Sequence, residues 1–190
     1  MGLDQRIVRS RQALKDAGCE LFMKNPSATL TDVAKHAGVG RATLYRHYES
    51  REQLIQELAQ DSLEATEAAL APLYVQPLSN WEYLLGSLAC IMPLADKYHF
   101  LLAVWEIASE NPRVVKIYNQ QMEGLAAVVE GAKAEGVISP SLTTHWVAQL
   151  YDALLYVGWS CIRTGKMTMN DAISHAQRSL ASGVCLSAPG

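Results

Sequence analysis

The sequence lacks the features that mark membrane-spanning, secreted and metal-binding proteins. No apolar stretch approaches the ~18 residues of a transmembrane helix, and the segment MGLDQRIVRSRQALKD has no apolar core of the kind found in a secretory signal. The four cysteines lie far apart without a CxxC spacing, which disfavours a zinc site and is typical of reduced thiols. We therefore expect a cytoplasmic protein that has no metal site, no cofactor and no membrane partner.

The motifs of common enzyme classes are missing as well. The sequence contains no HExxH motif and no glycine-rich phosphate loop, and its five histidines are scattered along the chain. We predict that the protein is not an enzyme. Two other interpretations stay open at this point: an enzyme with an all-α fold, and a helical adaptor whose N-terminal part docks protein.

Charge is distributed unevenly along the chain. Residues 1–54 contain nine of the sixteen lysines and arginines but six of the nineteen acidic residues, a local charge of +3 in a chain whose net charge is −3. The remaining residues are therefore acidic. A basic N-terminal part on an acidic body is typical of a DNA-binding domain joined to a domain of another kind.

The spacing of apolar residues predicts an all-α protein. No long segment alternates apolar and polar residues as a strand does, and glycine and proline occur at helical intervals. Thr31 is the expected N-cap of the second helix, and the fourth helix is expected to end before Pro72. We predict helices over 4–24, 31–37 and 41–48, from Ser50 to just before Pro72, and near 79–92, 94–109, 112–135, 142–164 and 169–183.

Residues 30–54, LTDVAKHAGVGRATLYRHYESREQL, predict a helix-turn-helix. The small residues Ala34 and Ala37, with Gly38 in the turn, allow two short helices to approach closely at a steep angle. The second helix of such a pair lies in the major groove of DNA. Its helical phase predicts that Leu44 and Tyr48 face the core, whereas Tyr45 faces outward.

This segment resembles the DNA-binding domain of the TetR family of bacterial transcriptional regulators. The strong match covers about residues 9–54, and the remainder agrees in length, helix count and helix order. The matching residues are Leu21-Phe22, Asp32-Val33-Ala34, Ala37-Gly38-Val39, Thr43-Leu44-Tyr45, His47-Tyr48 and Arg51. The resemblance implies a helix-turn-helix DNA-binding domain over 1–54 and a C-terminal helical ligand-binding and dimerisation domain over 55–190.

The resemblance also implies a mechanism. The protein is expected to be a repressor that binds a palindromic operator as a homodimer, lies on the nucleoid when bound, and is released by a small hydrophobic or aromatic effector. Base contacts are implied for Arg41, Ala42 and Tyr45, and phosphate contacts for Thr31, Thr43, His47 and Arg51. The sequence departs from the family at Gly40, where a polar residue is more usual, and at Arg51, where lysine is commoner.

Simpler interpretations stay open for several of these residues. His47 is alternatively a surface histidine with no DNA contact. The arginines of the first helix, Arg6, Arg9 and Arg11, either contact phosphate or the minor groove or form a solvated face.

The C-terminal region is rich in aromatic residues and in helices that are apolar on more than one face. Some of its aromatic and polar residues are candidates for an effector pocket, with ordinary core packing as the alternative for each. The pocket candidates are Trp81, Met92, His99, Trp105, Tyr118, Gln121, Met122 and Tyr151. The last two helices are expected to pair across a two-fold axis. The dimer candidates are Trp146, Leu150, Leu154, Val157, Ile173, Ala176 and Leu180.

Overall fold

The computed structural model describes residues 2–186 and confirms the all-α prediction for that range. Outside the helices, Ile138 and Cys185 form an isolated antiparallel bridge. The helices are α1 (Gly2–Lys24), α2 (Leu30–His36), α3 (Arg41–His47), α4 (Arg51–Tyr74), α5 (Asn80–Ile91), α6 (Ala95–Ala108), α7 (Pro112–Ala134), α8 (Thr144–Arg163) and α9 (Met169–Val184), with a 3-10 turn at Met92–Leu94.

The start of α2 differs from the sequence prediction. Thr29 is the N-cap, because its hydroxyl accepts from the Asp32 N–H at 3.2 Å while the Asp32 carboxylate accepts from the Thr29 N–H at 2.9 Å. This reciprocal arrangement satisfies two donors at the helix terminus and fixes the cap three residues before Asp32. The prediction that Thr31 is the cap is therefore wrong, and Thr31 lies exposed in the first turn.

Helix α4 continues through Pro72 and ends at Tyr74, so the prediction that it stops before Pro72 is also wrong. A proline in a helix removes one backbone hydrogen bond and crowds the preceding turn. Here the loss falls in the last turn, where few further bonds depend on it. The Pro72 carbonyl accepts from the Gln76 side chain at 3.0 Å, so it is satisfied although the helix ends.

The chain divides into two compact units. The first comprises the N-terminal residues as far as Leu63 together with Lys97–Ile117. Its core contains fully buried apolar side chains from α1 to α4, namely Leu14, Phe22, Val33, Leu44, Leu54 and Ile55. A Cβ on Gly18 would lie 3.1 Å from Leu54 and 3.2 Å from Leu58, so α1 and α4 approach closely at this glycine.

The second unit comprises Glu64–Asp96 and the chain from Tyr118 onward. Its core is an apolar cluster from α5, α7, α8 and α9 that includes Leu84, Leu88, Val129, Val147 and Leu155. The predicted boundary between residues 54 and 55 lies in the first turn of α4, a helix that contributes residues to both units.

Two of the residues expected at a dimer interface belong to this core. Ala176 is 4% exposed and Leu180 is fully buried, both packed in the apolar cluster of the second unit. The apolar stripe of α9 therefore faces the chain's own interior. The assignment of Ala176 and Leu180 to a surface between subunits is corrected for that reason.

Candidate nucleic-acid interface

Helices α2 and α3 form the helix-turn-helix. Leu30, Val33 and Ala34 bury one face of α2, and Leu44 is the buried residue of α3. Between the helices, Gly38 adopts φ +66°, a left-handed conformation that strains residues with a Cβ. The turn this permits is closed by the Val39 N–H, which donates to the Ala34 carbonyl at 2.9 Å.

The outward face of α3 is formed by Arg41, Ala42, Tyr45 and Arg46, all of them exposed. Tyr45 is 45% exposed, whereas Tyr48 is fully buried, which confirms the prediction that the two tyrosines face opposite ways. The Arg41 guanidinium carbon lies 5.6 Å from the centre of the Tyr45 ring. This cation–π contact holds a positive charge and an aromatic ring together at the start of the helix.

Gly40 is the N-cap of α3 and makes no side-chain hydrogen bond to the helix. Thr43 accepts from Arg46 Nη2 at 3.0 Å, which arranges this hydroxyl and this guanidinium side by side.

His47 is half-buried in the last turn of α3 and is held by α1. Its Nε2 lies 2.8 Å from Ser10 Oγ, and the Ser10 hydroxyl donates its one hydrogen to the Ile7 carbonyl at 3.0 Å. Ser10 Oγ must therefore accept from His47 Nε2–H, which leaves Nδ1 as the nitrogen that takes up a proton. Burial lowers the pKa of His47, Arg11 and Arg46 lower it further, and Glu57 opposes the shift.

Arg51, expected to contact phosphate, is turned toward the protein. Its Nε donates to the Ala28 carbonyl at 2.9 Å, and Nη2 donates to the Pro26 carbonyl. The guanidinium carbon lies 5.0 Å from the centre of the Phe22 ring. Two of its five N–H donors are therefore used within the chain, and Nη1 is the nitrogen that makes no hydrogen bond to these carbonyls.

An ion-pair network joins α1 to α4 beside the buried Tyr48. Arg11 makes a two-point contact with the Glu57 carboxylate, at 3.1 Å and 2.7 Å, and Lys15 pairs with Glu57 and Asp61. Despite its burial, Glu57 has a lowered pKa because Arg11 and Lys15 stabilise its charged form. Arg11 is thus paired with Glu57 within the first unit. The sequence pattern grouped it with Arg6 and Arg9 and gave no sign of a partner 46 residues away.

The residues proposed for an effector pocket do not all belong to one unit. Met92 and Tyr151 are buried in the second unit's core at 0% and 3% exposure. His99 and Trp105 belong to the first unit, and Trp81, Tyr118, Gln121 and Met122 are half-buried residues of the second. Their arrangement around an effector stays a prediction.

The remaining dimer candidates lie on α8 and α9. Trp146 is 60% exposed and Val157 is 53% exposed, and the neighbouring Tyr156 is 46% exposed. Leu150, Leu154 and Ile173 are partly buried against the core. Helix α8 therefore presents large apolar side chains to the surface in its first turn and in its C-terminal half, a feature typical of interaction sites when such side chains are contiguous.

In residues 2–186, no group of three or more histidine, cysteine, aspartate or glutamate side chains is placed to hold a metal ion. Within the same range, no single helix has the length and apolar content needed to cross a bilayer, and the bent pair Asn80–Lys97 with His99–Ala108 reaches it only when counted together.

The chain is similar to known regulators over nearly its whole length. The family model described as bacterial regulatory proteins, tetR family, matches residues 14–58. The transcriptional repressor LfrR of Mycolicibacterium smegmatis is 26% identical over 178 residues, which cover 93% of this chain and 90% of LfrR. The transcriptional regulator UidR of Escherichia coli K12 is 26% identical over 185 residues, 92% of each protein.

Solved structures show the same fold. The crystal structure of the TetR-like regulator LfrR from Mycobacterium smegmatis in complex with proflavine aligns with a TM-score of 0.72. That alignment has 24% sequence identity and covers 92% of this chain and 96% of the LfrR chain.

Proposed function

This chain is a transcriptional regulator of the TetR family, and we propose that it is a repressor that binds a palindromic operator as a homodimer. We propose further that a hydrophobic or aromatic effector releases it from DNA. The observation that carries the proposal is the outward face of α3, on which Arg41 and Tyr45 are exposed and in contact. The opposite face of the helix packs on the core through the buried Leu44. Arginine at the start of a recognition helix is suited to two-point contact with guanine, and Ala42 is suited to a thymine methyl group.

Thr31, Thr43 and His47 are proposed to contact phosphate. Thr31 is exposed in the first turn of α2, and Thr43 and His47 lie on α3 beside the proposed base-reading face. Contacts of this kind fix the position of the helix on the duplex and do not read sequence. Arg51 is left out of this proposal because Nε and Nη2 donate to the Ala28 and Pro26 carbonyls, which turns the side chain toward the protein.

The homodimer is supported by the apolar side chains that α8 leaves exposed. Trp146 and Val157 would lose most of their water contact in a symmetric pairing of this surface. Val157→Asp should therefore convert the dimer to a monomer in light scattering after gel filtration. Val75→Asp is the matched control, because Val75 is 86% exposed on the segment after α4 and has no place in the proposed interface. Retention of the dimer in Val157→Asp would contradict the assignment.

Repression and an aromatic effector are supported by a relative. LfrR is named as a repressor, and its solved structure contains proflavine, a planar aromatic molecule. Proflavine is therefore a suitable first probe. If the effector is aromatic, proflavine added to the complex of this protein with DNA should lower the fraction of DNA that is bound. Glycerol at the same concentration should leave that fraction unchanged.

The test of the proposal is selection of duplexes from a random pool by the purified, ligand-free protein, followed by sequencing. Enrichment of an inverted repeat supports a homodimer on a palindrome and gives the half-site spacing. Enrichment of a single half-site or a direct repeat would contradict the symmetric dimer. No enrichment of any sequence, with or without added cell extract, would contradict specific DNA binding and favour the adaptor alternative, whose binding lacks a steep dependence on salt.

A further inference from the structure

We propose that Arg51 is a positioning residue that sets the helix-turn-helix in its DNA-binding orientation and does not itself contact phosphate. The inference rests on the proposed DNA-binding function. Arg51 is the first residue of α4, and its side chain is 22% exposed. Position and burial together place its guanidinium between the start of α4 and the turn that joins α1 to α2.

The guanidinium of Arg51 makes hydrogen bonds along its edge and an aromatic contact on its face. Nε and Nη2 donate to the carbonyls of Ala28 and Pro26, and the ring of Phe22 lies under the plane at 5.0 Å. Nη1 is the remaining nitrogen, and it lies 3.9 Å from the carboxylate of Glu52. A phosphate that approached Nη1 would therefore meet a negative charge.

These contacts link α4 to α1 and to the connection between α1 and α2 through one side chain. Phe22 belongs to the last turns of α1, and the Pro26 and Ala28 carbonyls lie in the connection to α2. Ala28 directly precedes Thr29, the residue that caps α2. By fixing this connection, Arg51 determines where α2 begins relative to α4, and α3 follows α2 through the tight turn at Gly38. Arg51 thus fixes the orientation of the DNA-binding surface from the side of the domain that faces away from DNA.

The arginine side chain is specifically required by this geometry. Two carbonyls in fixed directions and an aromatic ring underneath suit a planar fork with several donors. A lysine ammonium carries the same charge on a flexible stem but has no plane to lie on the ring and no Nε donor. A phosphate contact, in contrast, would accept lysine readily, because lysine binds phosphate as a point charge.

The test compares wild type, Arg51→Lys and Arg51→Gln on the duplex that the wild type selects and on an unrelated duplex, over a series of salt concentrations. We expect both variants to lose about tenfold or more in affinity for the selected duplex, the size of lost charge-assisted hydrogen bonds. We expect the dependence of log K on log salt to keep its wild-type slope, and affinity for the unrelated duplex to stay unchanged. Lys24→Gln is the control for charge, because Lys24 lies exposed near the same turn and pairs with Glu20.

Two results would overturn the proposal. If Arg51→Gln lowers the salt slope by about 0.9, the value for one phosphate contact, and Arg51→Lys restores both slope and affinity, then Arg51 contacts phosphate. If both variants unfold at lower temperature but bind the selected duplex with wild-type affinity when fully folded, then Arg51 stabilises the fold without setting the DNA-binding orientation.

A spectroscopic measurement on the wild-type protein does not depend on any variant folding. The Arg51 Nε–H resonance should be protected from exchange with water in the free protein and should move little when the selected duplex is added. A large shift on adding DNA would overturn the proposal. Failure of the wild type to bind any duplex would overturn the DNA-binding function itself, and so differs from a result in which only Arg51 is misassigned.

Discussion

Tyr151 donates its phenolic hydrogen to Ser87 across 2.7 Å, joining α8 to α5 inside the core of the second unit. The direction follows from the partner, because the Ser87 hydroxyl gives its own hydrogen to the Leu84 carbonyl at 2.8 Å. Ser87 Oγ is therefore the acceptor. Burial raises the pKa of Tyr151 above its usual range, which keeps the phenol protonated and able to donate at any physiological pH.

Because Tyr151 is the donor and Ser87 the acceptor, losing either partner has a different cost. We expect Ser87→Ala to destabilise the protein more than Tyr151→Phe. Removing the serine leaves a buried phenol hydroxyl without an acceptor, which costs about 1–3 kcal/mol. Removing the phenol hydroxyl leaves Ser87 bonded to the Leu84 carbonyl, at a cost of about 1 kcal/mol. Urea unfolding of the two variants measures the difference, and a larger loss in Tyr151→Phe would contradict the direction.

Two glycines of α7 should respond to alanine with opposite signs. A Cβ on Gly131 would collide with the Asn80 side chain, whereas a Cβ on Gly124 would meet open space. Asn80 cannot turn aside easily, because its Nδ2 donates to Glu135 at 2.7 Å. We expect Gly131→Ala to destabilise by about 1–3 kcal/mol and Gly124→Ala to stabilise by about 0.5–1 kcal/mol, the helical preference for alanine.

The collision itself is tested by removing Asn80. In an Asn80→Ala background, Gly131→Ala should change sign and stabilise the protein by about 0.5–1 kcal/mol, as Gly124→Ala does. Thermal and urea unfolding of the four combinations give the coupling between the positions. A cost of Gly131→Ala that is equal in both backgrounds would show that Asn80 is not its cause.

Arg41→Ala should weaken binding to the selected duplex by about 1–3 kcal/mol and relax the preference at one base pair. The reason is that a guanine contact is lost while phosphate contacts remain. Binding to the selected duplex and to each of its single-base variants measures the effect. Lys24→Ala is the control, because Lys24 is an exposed cation at the end of α1 that pairs with Glu20 and has no proposed DNA contact. An equal loss on all duplexes would exclude base reading by Arg41.

DNA affinity should rise as pH falls from about 8 to 6, and His47→Gln should reduce this dependence. The pKa of His47 is lowered by burial, by Arg11 and by Arg46, so the imidazole is neutral in the free protein near neutral pH. A nearby phosphate would favour the protonated form, and uptake of one proton on binding changes affinity by at most about tenfold per pH unit. Binding titrations at several pH values, at constant salt, measure it. A His47→Gln protein with the wild-type pH dependence would place the titrating group elsewhere.

The lowered pKa of His47 also affects folding stability, which should fall with decreasing pH while DNA affinity rises. A histidine whose pKa is lower in the folded than in the unfolded state contributes stability that is present above the ordinary value of about 6.5. That contribution is lost as pH falls through the lowered folded value. Acidification should therefore destabilise the free protein through His47 while strengthening its complex with DNA, and unfolding with and without the selected duplex separates the two effects.

The helices and the helix-turn-helix were predictable from the sequence because their signals are local. Thr168 caps α9, Asn111 accepts from the Arg113 N–H at the start of α7, and Gly136 and Gly165 have φ values of +75° and +67° at helix ends. The N-cap of α2 was misassigned because two threonines flank the true start. Only the reciprocal hydrogen bonds between Thr29 and Asp32 distinguish them.

The contacts of Arg51 within the chain and the burial of α9 could not be predicted from the sequence, for another reason. The partners of Arg51 are backbone carbonyls 23 and 25 residues away, and no periodicity in the sequence indicates such contacts. Ala176 and Leu180 form an apolar stripe along α9. The sequence pattern of such a stripe is the same whether it packs on its own chain or on a second copy. The sequence predicts that such a face is buried, but only the packing of α5, α8 and α9 shows where.

The recognition helix is attached to the protein by very little of its own surface. Leu44 is the buried residue within α3, and Tyr48 closes the helix from its C-terminal side. The side chains at 41, 42, 45 and 46 are exposed and contribute little to the core. Substituting any of them should therefore change the free energy of unfolding only slightly. A lineage could therefore acquire new target genes by exchanging these few side chains, and a designer could retarget the regulator by the same route without rebuilding the fold.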